Sequence, residues 1–201
     1  MNQAANAAPL LLASASPRRR ELLRRVGLPF EATSVAIDEA PLRGERGAAC
    51  ALRLARAKAA AAAALRPGRH VLAADTVVVV GRKVLGKPRD AAEARAMIEL
   101  LAGRWHDVVT GVALRAPDGA EWCEAARTRV RFAPVADDEI ERYVSGAEPY
   151  DKAGGYALQG AAGWFVEEIR GSASNVVGLP LEVVRRLAAA AGLAGPALDG
   201  R

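Results

Sequence analysis

The chain of 201 residues carries 28 Lys+Arg against 23 Asp+Glu, a formal net charge of +5, and is 51% hydrophobic and 25% charged. A chain this apolar buries a core, which excludes disorder over most of its length; the length suits one domain over 1–201, with flexible tails expected at 1–8 and 193–201. Two cysteines, Cys50 and Cys123, exclude a disulfide scaffold and a four-Cys zinc site, and both read as reduced packing residues.

Leu10 to Ala13 is a short aliphatic run suited to a buried strand. Ser16 as N-cap and Pro17 at the first helical position start a helix that runs to Val26 and stops at Gly27. Glu39 sits in a polar loop beside Asp38, ahead of a second helix over about Glu45 to Leu65, rich in Ala and Arg. Val71 to Val80 is the most strand-like segment, and Gly81-Arg82-Lys83 reads as a hairpin turn into Val84-Leu85. Asp90 opens a third helix, Ala91 to Leu101, closed by Gly103. Strands over about 107–114 and 122–130 flank the turn Pro117-Asp118-Gly119. A short helix follows from Asp137 to Val144, with acids in its first turn; Gly154 to Arg170 is Gly-rich and then alternating, and an amphipathic helix spans Pro180 to Ala191. Strands alternating with helices and hairpins imply an α/β fold with a mixed sheet.

Charge and composition narrow the partners. Acids are interleaved with the arginines along the predicted helix faces, and Arg18-Arg19-Arg20 is the one tight basic cluster. Nine aromatics (Trp 3, Tyr 3, Phe 3) are too few for a base-stacking platform, so a small polyanion suits the charge better than a nucleic acid strand. No uncharged apolar run approaches the roughly 18 residues of a membrane span, and Met1 to Ala8 lacks the basic start of a signal peptide. A cytoplasmic protein is expected.

Four groups carry candidate chemistry. In Ser14-Ala15-Ser16-Pro17-Arg18-Arg19 a strand ends in hydroxyls at a helix start, where free backbone N–H groups and guanidinium forks suit phosphate oxygens. Asp75 lies inside an apolar strand, where an ionised carboxylate is costly unless paired or metal-bound. It reads as functional, with a satisfied buried Asp and an aspartyl-phosphate nucleophile as the other readings; Val77 stands where the latter pattern wants a second Asp. Lys87 and Lys152 sit among turn residues that fix the backbone. Gln159, beside Gly160, offers an amide able to read a base edge. His70 and His106 receive no role.

Taken in order, SASPRRRELL, AIDEA, AADTVVVVGRKVLGKP, LLAGRWHDVVTGVAL, YDKAGGYALQG and GSASNVVGLPL resemble the successive motifs of the Maf family of nucleoside triphosphate pyrophosphatases. The resemblance runs from Leu10 to about Leu187. It implies a mixed, bent sheet flanked by helices, two lobes with a central cleft, dependence on Mg²⁺ or Mn²⁺, a homodimer, and no stable nucleic acid complex. The implied reaction turns a nucleoside triphosphate into monophosphate and pyrophosphate. Asp75 falls on the family's proton acceptor, Glu39 on its acidic loop residue, and Asp75 and Glu39 are read as holding the metal. Ser14, Ser16, Arg18, Arg19, Lys58, Lys87 and Lys152 fall on the phosphate-binding motifs. Arg18, Thr76 and Gln159 side with the branch acting on dTTP and UTP; the branch acting on 7-methyl-GTP has Trp, Gln and Glu there. Gly155 stands where Ala is common and Trp105 adds bulk before His106, neither at a position given a role. A purine pyrophosphatase of the ITP type and a non-catalytic nucleotide- or RNA-binding regulator of cell division are the alternatives.

Overall fold

The structure, a computed structural model, describes residues 9–193. The tails expected to be flexible lie outside that range, Leu193 excepted. Seven strands form one mixed sheet: β1 (Leu10–Ala13), β2 (Phe30–Thr33), β3 (Val71–Val80), β4 (Lys83–Leu85), β5 (Trp105–Arg115), β6 (Glu121–Phe132) and β7 (Val166–Arg170). Their order is β2-β1-β3-β5-β6-β7, with β4 paired to β3. β1 lies parallel to β2 and β3, and the other pairs are antiparallel. The helices are α1 (Pro17–Arg25), α2 (Gly47–Leu65), α3 (Ala91–Leu101), α4 (Asp137–Val144), α5 (Ala173–Val177) and α6 (Leu181–Ala190). This is the mixed α/β architecture that the alternation of strand and helix patterns implies.

Local chemistry accounts for the element starts. The Ser16 side chain accepts from the Arg19 N–H at the head of α1, with Pro17 first in the helix. Asp90 does the same for α3, accepting from the Glu93 N–H at 2.8 Å. Burial then holds α1 in place: Leu22 and Leu23 pack with Val183, Val184 and Leu187 of α6 against Leu72, Ala74 and Leu114. A fully buried leucine such as Leu23 contributes roughly 1.5–3 kcal/mol. That packing fixes where the arginines of α1 emerge. A second core gathers Ile98 and Leu101 of α3 with Phe132, Tyr143, Tyr156 and Phe165.

Helix α2 meets the sheet unusually closely. Its buried face carries Ala55, Ala59 and Ala62, all fully buried, which pack with Val71, Ala73 and Ala113, and nearer its start Ala51 and Leu54, which pack with Val77 and Val109. At the point of contact β5 has Gly111, where a Cβ would fall within 2.6 Å of the α2 backbone at Leu52 and closer still to Ala51. Small residues on both sides let the helix backbone approach that of the strand.

Two elements were not marked by the sequence reading. β2, with the sequence Phe-Glu-Ala-Thr, sits at the sheet edge and has too few apolar residues to show a strand period. α5 is five residues long, and its one start signal is Ser172, whose hydroxyl accepts from the Asn175 N–H. The structure also corrects Cys123. It lies exposed on β6 rather than packed, beside Arg56, Ala57 and Ala60 at the margin of α2, which does not cover it, whereas Cys50 is buried on the inner face of α2 as expected.

Candidate active site

The site begins as a gap in strand pairing. β5 covers one edge of β3 from Val71 to Val79. On the other edge β1 meets only Val71 and Leu72, and β4 only Val78 to Val80. The stretch between them, Ala73 to Val77, therefore lies where β1 has already turned into α1, and a cleft of about 620 Å³ opens there. The general rule for such sheets puts ligands beside the carboxyl end of a strand, next to the start of the following helix.

Alternation along β3 sorts its two polar side chains. Asp75 shares a face with Ala73 and Val77, both packed toward α2. Thr76 points to the opposite face. On the α2 side the Lys58 ammonium lies 2.5 Å from Asp75 Oδ1 and 2.7 Å from Glu39 Oε1. Lys87 Nζ lies 2.8 Å from Glu39 Oε2, so acids and cations alternate as Asp75, Lys58, Glu39, Lys87. Lys58 and Asp75 are both buried, and either charge left alone there would cost several kcal/mol. Glu39 is half-buried, which pushes its carboxyl up, but hydrogen bonds from Lys58 and Lys87 outweigh this and draw it down to about 2. Glu39 is ionised at neutral pH.

The Glu39 loop is itself braced. Arg53 of α2 grips the Glu45 carboxylate through Nε and Nη2 at 2.8 Å each and donates to the Ala40 carbonyl at 3.0 Å. Glu45 in turn accepts from the Leu42 N–H, and hydrogen bonding to Arg53 holds its carboxyl down at about 2.

On the other side of β3 stands Arg19. Its guanidinium donates to the Gly178 carbonyl at 2.7 Å, to Thr76 Oγ1 at 3.1 Å and to Ser14 Oγ at 3.4 Å. Burial lowers its pKa, and the charges of Asp75 and Glu39 oppose that. Thr76 Oγ1 is also 2.9 Å from Thr110 Oγ1, and Thr110 donates to the Asn175 carbonyl. Asn175, fully buried, donates to the Val108 carbonyl and to Thr128 Oγ1, tying α5 to the sheet. The Ser14 hydroxyl accepts from the Ser16 N–H at 3.2 Å, which shapes the turn into α1. Arg18 lines the cleft beside it and, among the described residues, makes no side-chain hydrogen bond or ion pair.

The third wall is the segment from Asp151 to Gln159. Lys152 Nζ donates to the Glu148 carbonyl at 2.6 Å and pairs with Asp151. Gly154, at φ 70°, lies against the Val78 side chain, and its N–H donates to the Gly86 carbonyl at 2.9 Å, joining the turns that carry Lys152 and Lys87. Gln159 is exposed on the cleft wall. Ser14, Ser16, Arg18, Arg19, Glu39, Lys58, Asp75, Thr76, Lys87, Lys152 and Gln159 thus line a single cleft. His106 stays outside it, buried at 2.7 Å from the Tyr156 hydroxyl, with burial pushing its pKa down to about 4.

Residue-level reading had passed over Lys58, Arg53, Thr110, Asn175 and Glu148. For Lys58 a signal exists: it falls between Leu54 and Ala62 on the apolar stripe of α2, a lone cation where every neighbour is buried. For Glu148 no local pattern marks it.

Glu39 and Asp75 are two hard oxygen donors converging on one ammonium. Among the described residues no group of three or more His, Cys, Asp and Glu side chains is assembled for a metal ion. Two carboxylates fit an ion of the Mg²⁺ type, which is held by one or two protein carboxylates and completes its shell from phosphates and water.

Among solved structures, the chain is similar in fold to the Ham1 protein of Staphylococcus aureus, with a TM-score of 0.52 at 12% identity, covering 92% of this chain and 100% of that one. Residues 9–191 match the Maf family, described as Maf-like protein, and the chain belongs to that family. It is 50% identical over 187 residues to the dTTP/UTP pyrophosphatase of Myxococcus xanthus (strain DK1622), covering 93% of this chain and 94% of that one. It is 52% identical over 185 residues to the dTTP/UTP pyrophosphatase of Novosphingobium aromaticivorans, covering 92% of each.

Proposed function

We propose that the chain hydrolyses dTTP and UTP to the nucleoside monophosphate and pyrophosphate with a divalent metal cation, Mg²⁺ or Mn²⁺. The reading rests above all on one observation: a carboxylate on a buried strand shares a single cleft with cations from three separate elements. Arg18 and Arg19 at the head of α1 meet the phosphate oxygens, and Lys87 and Lys152 close on them from the opposite wall. Lys58 holds both the Asp75 and Glu39 carboxylates in place, and with Lys87 it keeps Glu39 ionised. Glu39 and Asp75 hold the metal, which supplies Lewis-acid neutralisation of phosphate charge when bound.

Asp75 then orients a water and takes its proton, Oδ1 being already engaged by Lys58. The water oxygen bonds to the α-phosphorus, and the bridging oxygen leaves with pyrophosphate, its charge met by the lysines. Positioning and electrostatics dominate catalysis of this kind, and a general base adds roughly 10²–10⁴-fold. Gln159 accepts from a pyrimidine N3–H and donates to a carbonyl oxygen of the base.

A panel of UTP, dTTP, ITP and 7-methyl-GTP, run with and without EDTA and with products identified, tests the reading. Monophosphate plus pyrophosphate from UTP and dTTP, abolished by EDTA, is expected. Diphosphate plus phosphate, a preference for ITP, or no turnover overturns it. Asp75→Asn keeps the fold and loses at least about 100-fold in kcat, about 2.7 kcal/mol; a fully active variant removes Asp75 from the mechanism.

A further inference from the structure

Glu148 does not line the cleft, yet it is tied to both ends of the Asp151–Gln159 wall. Its backbone carbonyl accepts from Lys152 Nζ at 2.6 Å. Its carboxylate reaches past Gln159 to the next turn, where Oε2 accepts from the Ala161 N–H at 2.8 Å and Oε1 from the Ala162 N–H at 3.5 Å. The Tyr143 hydroxyl, which donates to the Gly155 carbonyl at 2.8 Å, lies 3.3 Å from Oε1 and supports the carboxylate from beneath. Gly160 lies directly over this contact. A Cβ there would fall within 2.6 Å of Oε2 and closer to Oε1 and Cδ, and these three Glu148 atoms are its nearest neighbours. Gly160 has φ −116°, a conformation open to any residue, so what a side chain here would disturb is the Glu148 carboxylate, which would have to leave its hydrogen bonds to make room.

Glu148 thus caps the 3₁₀ turn Ala161–Phe165 and fixes the height of the Gln159-Gly160 step on the cleft wall. We infer that Glu148 is a positioning residue for base discrimination: it holds the Gln159 amide at the depth where a pyrimidine edge is read, while Lys152 is held separately by the Glu148 backbone carbonyl, which no side-chain substitution removes. The inference rests on the pyrimidine reading given above. It adds that discrimination depends on a carboxylate outside the cleft.

The test uses the full chain and reads binding apart from turnover. Binding of the α,β-methylene analogues of UTP and ATP is measured by calorimetry for the parent, Glu148→Ala, Gly160→Ala and the double variant, with inorganic tripolyphosphate as the base-free probe. Hydrogen bonds to a charged group set the scale, so the UTP-over-ATP analogue preference should fall about tenfold in Glu148→Ala, with tripolyphosphate affinity unchanged. Gly160→Ala should lose the preference alone, and regain part of it in the Glu148→Ala background, where its methyl group no longer meets a carboxylate. A preference preserved in Glu148→Ala overturns the inference. So do equal losses for all three ligands, or strictly additive losses in the double variant. A parent that binds the UTP analogue preferentially without hydrolysing UTP sinks the catalytic reading, yet the binding ratios still decide the role of Glu148.

Discussion

Replacing Lys58 by Met tests the electrostatic arrangement more directly than removing any acid. The side chain keeps its length and loses one charge, so the α2 packing is retained while Asp75 and Glu39 both lose a partner, at 2.5 and 2.7 Å. Asp75 is 7% exposed and has little water to turn to. Breaking a buried pair by deleting one member costs about 3–5 kcal/mol. For chains of this size each kcal/mol moves the melting temperature about 2–4 °C, so a drop of about 6–20 °C is expected at neutral pH by differential scanning fluorimetry. The deficit should depend on pH, and its sign follows from Glu39. Its folded value of about 2 lies below the ordinary carboxylate value, so its contribution is present above the ordinary value and is lost as pH falls toward 2. The variant lacks one of the two lysines responsible, so less of this contribution is there to lose. The gap between Lys58→Met and the parent should therefore narrow as pH falls from 4.5 toward 2. A variant that melts within 2 °C of the parent at neutral pH, or a gap equally wide in acid, refutes the reasoning.

Other outcomes follow from single contacts. His106 is buried neutral with a pKa near 4, so its contribution is complete above its ordinary value of 6.5 and fades as pH falls from there toward 4; His106→Leu should flatten the urea-midpoint slope over that window. Gly111→Ala pushes a methyl group into the α2 backbone and should destabilise by about 1–3 kcal/mol, lowering activity with it; a neutral result would show that α2 can ride higher on the sheet. Gln159→Glu should weaken UTP turnover more than pyrophosphate binding, since a carboxylate cannot donate to the base carbonyl; equal weakening places Gln159 outside base recognition.

Much of this molecule is legible in its sequence, for local reasons. The start of α1 is written in Ser16 and Pro17, β3 in a long apolar run, and Asp75 stands out because it interrupts that run. The hairpin at Gly81 and the α3 start at Asp90 are equally local. What stays hidden depends on distant partners. Nothing near Glu148 announces that its carboxylate will meet the N–H groups of Ala161 and Ala162, thirteen and fourteen residues on. Lys58 gains its role from 17 residues away, and Arg19 from a carbonyl at 178. Cys123 misled because free cysteine is usually buried, whereas here it sits on β6 past the margin of α2, a distant element that the local sequence does not place.

The methyl-lined seat of α2 has a consequence for speed. At Gly111 no side chain separates this helix from β5, so the elevation of the ammonium that the helix carries is dictated there by backbone against backbone. The reorganisation that water would have to undergo around a developing charge has been completed here during folding. The acid–cation spacing is thus set before any ligand arrives and does not adjust to one that fits poorly.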